Sequence, residues 1–390
     1  MSLLKNYKKY FPMLKKIVYL DNSALVQKPY SVIKKSTEFY TKFCISNRTA
    51  NSLLGNNIYS IIKEVRNKVA KLTNSNLNEV IYTSGTTDSL NKISLMLKDI
   101  LDENDEILLS YMNHSSNIAP WVALLKEKNI KIKYSDDIFN DINSQTKIIS
   151  ISQINNSFKQ DINIKKLYEI CKTKGIILVN DAAQAIINEE VNLNYSDVIA
   201  FSSNKFYGPT GLGFLIVKES LLKRLSPKFY GGGSIASVQD NNLILQPGIN
   251  GYEPGTLNLA AIYMFNESID FFNNIIGGYK NSQLQIKILS EYLYKRLHEI
   301  ENIRVYNKPN SSVFLFSIKN INSQDIAHFL GKNNIYVRSG NFCVPFIENN
   351  KNILDKNESF VRISLGIYNT KKDIDILVET LKKGGDFLEI

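Results

Sequence analysis

The sequence predicts an α/β protein with a large, mainly parallel-sheet domain followed by a smaller α/β C-terminal domain. Between residues 79 and 218, short β-branched runs alternate with longer stretches whose apolar residues recur at helical spacing. That rhythm is the signature of a parallel sheet with crossover helices. From 259 to 299 a long helical pattern runs with one interruption, Gly277-Gly278, and beyond it a second, shorter alternation of strands and helices begins.

The predicted strands of the first unit cover residues 79–83, 106–111, 130–134, 146–152, 176–180, 197–201 and 213–217, with helices at 87–97, 118–127 and 164–173. In the second unit, strands are predicted at 313–318, 335–337 and 360–364, and helices at 323–332 and 371–382. The expected organisation is an N-terminal segment, 1–17, packing on the small domain, a large domain over 18–258, and a connecting helix with the small domain over 259–390. No internal repeat or low-complexity linker interrupts it. In open α/β sheets ligands gather outside the carboxyl ends of strands, so the residues following each strand are where chemistry is expected.

Composition narrows the function. The chain has 390 residues, with 47 Lys+Arg against 37 Asp+Glu for a net charge of +10, and only three His and three Cys. Cys44, Cys171 and Cys343 lie far apart without CxxC spacing, so neither a disulfide framework nor a thiolate zinc site is written here. His114, His298 and His328 show no paired metal-ligand spacing, and no metal is expected. The lysines are scattered in short groups, which argues against nucleic acid and for a solvated surface. No run approaches the about 20 consecutive apolar residues of a membrane span. The first sixteen residues have neither an apolar core nor a cleavage site, so the expected location is cytoplasmic.

Three segments carry chemistry. Thr83-Ser84-Gly85-Thr86-Thr87 runs from a strand through glycine into hydroxyl residues at a helix start, supplying backbone N–H groups and a positive dipole end that suit a phosphate. Asp181 ends a buried strand and is followed by Ala182-Ala183-Gln184; a carboxylate in that position calls for a cation in front of it. Lys205 follows another buried strand within Ser202-Ser203-Asn204-Lys205-Phe206-Tyr207-Gly208-Pro209. Desolvation there lowers a lysine pKa and makes the amine a nucleophile able to form a Schiff base. Together these are the parts needed to hold pyridoxal phosphate.

At these residues the chain resembles the class V aminotransferase family of fold-type I pyridoxal phosphate enzymes, and most closely the SufS/CsdA-like, type II cysteine desulfurases. The similarity extends from Tyr19-Leu20-Asp21-Asn22 to Tyr368-Asn369-Thr370. It is densest at Gly85-Thr86-Thr87, at His114 with Asn117-Ile118-Ala119-Pro120-Trp121, at Asp181-Ala182-Ala183-Gln184 and at Lys205 through Gly211. The resemblance implies that Lys205 forms the Schiff base, Asp181 partners the pyridine nitrogen and His114 stacks on the cofactor ring. It implies Asn156 and Gln184 near the phenolic oxygen, and Gly85, Thr86, Thr87, Ser202 and Asn204 around the phosphate. Thr256, in Glu253-Pro254-Gly255-Thr256, resembles a phosphate ligand contributed by the second subunit of a homodimer.

Two further features separate a desulfurase from other members. Arg338-Ser339-Gly340-Asn341-Phe342-Cys343 resembles the loop carrying the nucleophilic cysteine, and Arg362 resembles the arginine that clamps the substrate α-carboxylate. Arg338, Arg48 and Ala24 fall where further substrate contacts are expected. The implied reaction converts L-cysteine to L-alanine with a persulfide left on Cys343. The sulfur then passes to an acceptor or scaffold protein for iron–sulfur cluster or other sulfur-containing cofactor assembly.

The chain departs from the family at several positions. It reads Ser203-Asn204-Lys205 where Gly-His-Lys is typical, Asn341-Phe342-Cys343 where His-His-Cys is typical, and Gln153 in place of a histidine. Asn47 and Asn51 stand in a segment that usually carries two more, and Gly251 stands where an arginine is usual. Asparagine and glutamine cannot transfer a proton near neutral pH. Another class V enzyme, such as a selenocysteine or cysteine sulfinate lyase or an aminotransferase, and a degenerate cofactor-binding scaffold subunit therefore stand as alternatives.

Overall fold

The structure, a computed structural model, describes residues 4–46, 52–125, 128–158, 162–349 and 358–384. Seven strands form the central sheet: Val80–Thr83 (β1), Glu106–Ser110 (β2), Lys131–Ser135 (β3), Thr146–Ser152 (β4), Ile177–Asp181 (β5), Val198–Ser202 (β6) and Gly213–Val217 (β7). Their order is β1-β7-β6-β5-β4-β2-β3. Pairing is parallel from β6 through β3, whereas β7 runs antiparallel to both its neighbours. The departure from an all-parallel sheet has a local cause: a parallel crossover needs about a dozen residues or more. Between β6 and β7 there is only a Gly/Pro turn containing one short helical turn, Ser203–Lys205.

Apart from the edge strand β3, the strands are largely buried on both faces, and successive residues feed two different cores. Val80 and Tyr82 join Phe201, Phe214 and Phe265 on one side, while Ile81 joins Leu90, Ile93, Trp121 and Leu215 on the other. This is the period-two consequence of the pleat. Helix Thr86–Leu97 starts directly after the β1 loop. Helix Ile164–Lys174 is capped by the Asn163 side chain accepting from the Lys166 N–H and ends at Gly175, whose φ of 67° is the left-handed closure glycine permits. Helix Leu53–Leu72, which the sequence reading did not place, begins at Ser52, whose side chain accepts from the Gly55 N–H.

The helical pattern from 259 is two helices, Leu259–Asp270 and Gly278–Leu297. They are separated by a π-type turn over Phe271–Ile276 and by Gly277 at φ 86°. The second sheet orders Ile303–Val305, Val313–Ile318, Val361–Ser364 and Arg338–Ser339, all antiparallel. Ile335–Tyr336 pairs elsewhere, in parallel with Val18–Tyr19. The chain then bridges from Asp21 to Ser364, tying the N-terminal strand to the strand that carries Arg362. Ahead of it, Tyr7, Phe11 and Leu14 are buried with Tyr207, Phe271 and Tyr368, and Lys8 pairs with Asp373 at 2.7 Å. Among the described residues no helix is long and apolar enough to cross a membrane.

The carboxyl ends of β1, β2, β4, β5 and β6 all deliver side chains to one cavity. At its floor β1 and β7 close tightly: a Cβ on Gly213 would stand 2.4 Å from the Gly85 Cα, so no other residue fits there without moving the loop. Glu253 anchors the segment leading to Thr256. Its carboxylate accepts from both terminal nitrogens of Arg66, at 2.9 Å each, and from the Tyr82 N–H at 2.7 Å. All of this is buried, so Glu253→Ala leaves a guanidinium and a strand N–H without their partner. The expected loss is about 3–5 kcal/mol, read as a shift in the urea midpoint; a loss below about 1 kcal/mol would show that the pair contributes no more than a surface bridge.

Candidate active site

Cavity residues come from every strand end named above and from the second sheet. The space is about 290 Å³ and is lined by Ser23, Ala24, Thr86, Thr87, His114, Asn156, Asp181, Gln184, Ser202, Asn204, Lys205, Arg338, Cys343 and Arg362, among others. Of the residues singled out in the sequence, Gly85 adjoins it, with Ser202 Oγ 3.3 Å from where a Cβ would stand. Thr256 is exposed and outside this cavity, beside a groove lined by Arg66, Glu253, Gly255 and Leu257. Arg48 lies outside the described residues. A larger cavity, about 450 Å³ and lined by Gln153, Asn188, Glu189 and Lys287, holds neither a histidine nor a cysteine.

At one end, hydroxyls and backbone donors converge. The Thr86 N–H donates to Ser202 Oγ at 2.6 Å, the two hydroxyls lie 2.7 Å apart, and Thr87 Oγ1 meets Ser116 Oγ at 2.8 Å. With the helix N-terminus at Thr86 and the Asn204 amide in the lining, this donor set suits an anion. At the centre, Asp181 ends β5 at 4% exposure. Among the described residues it accepts from neutral donors, the Ala183 N–H at 3.1 Å and the Ser152 hydroxyl at 3.3 Å. Burial raises its pKa to about 6, against the lowering effects of those two donors and of the Lys205 charge.

Lys205 donates to the carbonyls of Ser23 and Ala24, the latter at 2.7 Å. Burial and then the positive charge of Arg362 bring the amine down to about 8, partly opposed by Asp21 and Asp181. Gln184 Nε2 donates to the same Ser23 carbonyl at 2.8 Å. His114 is brought down to about 4 by burial and by the charges of Lys205, Arg362 and Arg338, so the ring is neutral at pH 7. Its Nδ1 accepts from the Ser116 N–H at 3.1 Å, which assigns the proton to Nε2.

The second sheet brings Arg362 and Cys343. Arg362 is 1% exposed, its Nη2 donating to Asp21 Oδ1 at 2.6 Å and its Nη1 to the Asn156 carbonyl at 3.1 Å. Its Nε is buried without a partner among the described residues. Phe342 and Cys343 both occupy left-handed backbone, at φ 53° and 58°, a conformation costly for residues with side chains and retained where the surroundings hold it. Here the Phe342 carbonyl accepts from Asn156 Nδ2 at 2.8 Å, and the Cys343 carbonyl accepts from the Ser115 N–H and hydroxyl at 2.8 and 2.9 Å. Cys343 is exposed at the cavity. Cys171 is buried in an apolar cluster with its thiol pushed up to about 12 by burial, which makes it packing material.

Sequence reasoning missed several groups. Ser23 acts through its carbonyl, which no side-chain motif advertises. Asp21, inside the segment that resembles the family, Ser116 and the strand-end Ser152 were given no role of their own. Phe342 was noted as a departure, without a role.

Fold and cavity together define an α/β enzyme whose site lies outside the carboxyl ends of its strands, closed by a second, smaller sheet. The aminotransferase class-V family matches residues 18–377, and the chain belongs to that family. Among curated proteins, it is 33% identical to a probable cysteine desulfurase of Ureaplasma parvum, with 97% of each chain covered. It is 34% identical to one of Mycoplasma genitalium, covering 98% of this chain and 95% of that protein. Among solved structures, the Escherichia coli cysteine desulfurase CsdA superimposes with a TM-score of 0.89 at 23% identity, covering 98% of both chains. A cysteine desulfurase of Thermococcus onnurineus gives 0.90 at 24%, covering 98% of this chain and 99% of that one.

The raised pKa of Asp181 has a stability consequence. The native state holds this proton more tightly than the unfolded chain, so the contribution is present below about pH 4 and is lost as pH rises through about 6. Cofactor-free Asp181→Asn is therefore expected to be more stable than the unsubstituted protein at pH 7, by about 2–3 kcal/mol, with the difference shrinking towards pH 4. Urea titrations at both pH values check this; a difference that does not change with pH would contradict the assignment.

Proposed function

We propose that this chain is a pyridoxal phosphate-dependent cysteine desulfurase that moves the sulfur of L-cysteine to Cys343 and releases L-alanine. The observation that carries the reading is the convergence of Lys205, Asp181, His114, Arg362 and Cys343 on one cavity. The names of the relatives, probable cysteine desulfurases over nearly the full length, support it.

The residues present fit the cofactor. Asp181 is a buried carboxylate whose donors among the described residues are neutral, the environment a protonated pyridine nitrogen completes. Thr86, Thr87, Ser202 and Asn204 would hold the phosphate with Gly85 giving close approach, His114 would lie on the ring face, and Asn156 and Gln184 would face its phenolic oxygen. When bound, pyridoxal phosphate supplies the electron sink for carbanion chemistry at the amino acid α-carbon. A second copy of the chain would supply Thr256, whose exposure outside the cavity suits a homodimer.

The chain's own groups perform the rest. Arg362 binds the substrate carboxylate through the buried Nε that has no partner among the described residues, with Arg338 and Ala24 lining the same space and Arg48 a further candidate. Lys205, with its lowered pKa, exchanges protons near neutrality and moves the proton of the α-carbon. The Cys343 thiolate attacks the substrate sulfur: an S–S bond forms, the substrate C–S bond breaks with its electron pair going to carbon, and protonation of that carbon gives alanine. No external oxidant or reductant is needed for this half. The persulfide then passes to a sulfur-acceptor or scaffold protein, in keeping with an exposed cysteine and a reducing, cytoplasmic setting.

The test is turnover of L-cysteine by the purified protein and two variants. Alanine and sulfane sulfur are expected in equal amounts. Lys205→Ala is expected to lose at least about a hundredfold in rate, the scale of a removed general base, and Cys343→Ala is expected to lose persulfide formation. Turnover that survives Cys343→Ala, or that consumes a keto acid, would replace this reading with another class V reaction. A cofactor-bound protein that turns over no amino acid would make it a scaffold.

A further inference from the structure

The site just described leaves Phe342 without a task. Its ring is 3% exposed and lies against the guanidinium of Arg362, 5.1 Å from centroid to Cζ. Its backbone carbonyl is held by Asn156 Nδ2 at 2.8 Å, while the Asn156 carbonyl accepts from Arg362 Nη1 at 3.1 Å. The loop around it is moored by an apolar cluster of Phe342, Val344, Ile347, Met112, Phe158 and Phe360, so the ring is fixed in place. Asp21 holds Nη2 from another direction. Nη1 and Nη2 each donate once to the protein, and Nε is the guanidinium nitrogen with no acceptor among the described residues. Phe342 itself lines the cavity.

We propose that Phe342 is a positioning residue and specificity determinant: its ring orients the Arg362 guanidinium and shields it from water, so that Nε presents to a substrate α-carboxylate. An aromatic face over a buried cation stabilises it in a fixed plane, and an aliphatic side chain of similar bulk fills the space without that attraction. Phe342 acts through its contact with Arg362. The inference deepens the proposed function and rests on Arg362 as the carboxylate site.

The test uses the full-length, cofactor-loaded protein and three forms: unsubstituted, Phe342→Leu and Phe342→Tyr. L-alanine, which has the carboxylate and no thiol, is titrated while the absorbance of bound pyridoxal phosphate is followed, and KM and kcat for L-cysteine are measured alongside. Phe342→Leu is expected to weaken L-alanine binding by about three- to thirtyfold and to raise KM by a similar factor, with kcat changed less than KM. Phe342→Tyr, which keeps the aromatic face, is expected to restore both constants. Cysteamine, which lacks the carboxylate, is expected to bind the three forms equally.

Unchanged L-alanine binding in Phe342→Leu, or a tyrosine variant no better than the leucine one, would overturn the proposal. So would an equal loss for cysteamine, which would mean general damage to the loop. The two readings fail separately. An unsubstituted protein that binds pyridoxal phosphate and L-alanine but releases no alanine from L-cysteine removes the desulfurase reading, while the titrations still decide the role of Phe342. A protein that binds no pyridoxal phosphate removes both.

Discussion

Asp181 ends a central strand with both carboxylate oxygens held by neutral donors, and its burial pushes the carboxyl up to about 6. One strand over, Lys205 is buried enough for its amine to fall to about 8. Buried groups with strongly shifted pKa values cluster at sites where a ligand completes them. Much of the architecture serves that arrangement. The central strands must be apolar on both faces to exclude water, and the antiparallel β7 must return through a tight turn so that Lys205 stands directly beyond β6. Gly213 must leave room for the β1 loop, so that the Thr86 donors reach Ser202.

The second sheet adds what the first cannot. A parallel sheet offers neutral donors and a few charges at its carboxyl edge, but a substrate carboxylate needs a cation facing it from outside. In the proposed reading Arg362 would provide that, from a strand locked to the N-terminal segment through the Asp21–Ser364 bridge and the Asp21 ion pair. Asn156 links the two units: it follows β4 of the large sheet, its carbonyl accepts from Arg362, and its amide holds the loop that presents Cys343. Arg362 and the Cys343 thiol are thereby fixed in one frame. This is the condition for a sulfur atom to lie within reach of a nucleophile when the other end of the amino acid is clamped.

Much of this was legible in the residues. β-branched runs gave the seven strands of the large sheet to within a residue, whereas the short strands Val18–Tyr19, Ile235–Gln239, Asn242–Leu245, Ile303–Val305 and Arg338–Ser339 carry too little apolar pattern to be read. Glycine pairs marked the helix break at Gly277 because a left-handed φ there suits little else. The motif around Lys205 was readable because chemistry demands a particular residue type after a strand. What stayed hidden has physical causes. The antiparallel direction of β7 depends on the length of a turn, and the partner of Ile335–Tyr336 on a strand more than 300 residues away in sequence. Ser23 contributes a carbonyl, which every residue owns. Asp21 and Phe342 act through Arg362, and contacts made only in the folded state leave no spacing in the chain.

The central claim is that sulfur from L-cysteine comes to rest on Cys343. Mass spectrometry of the intact protein and of its peptides, after one turnover with L-cysteine and without added reductant, measures this directly. The account predicts a mass increase of one sulfur atom on the peptide containing Cys343, removed by a thiol reductant and absent in Lys205→Ala. Alanine formed with no sulfur retained on Cys343, or sulfur found instead on Cys44, would contradict it.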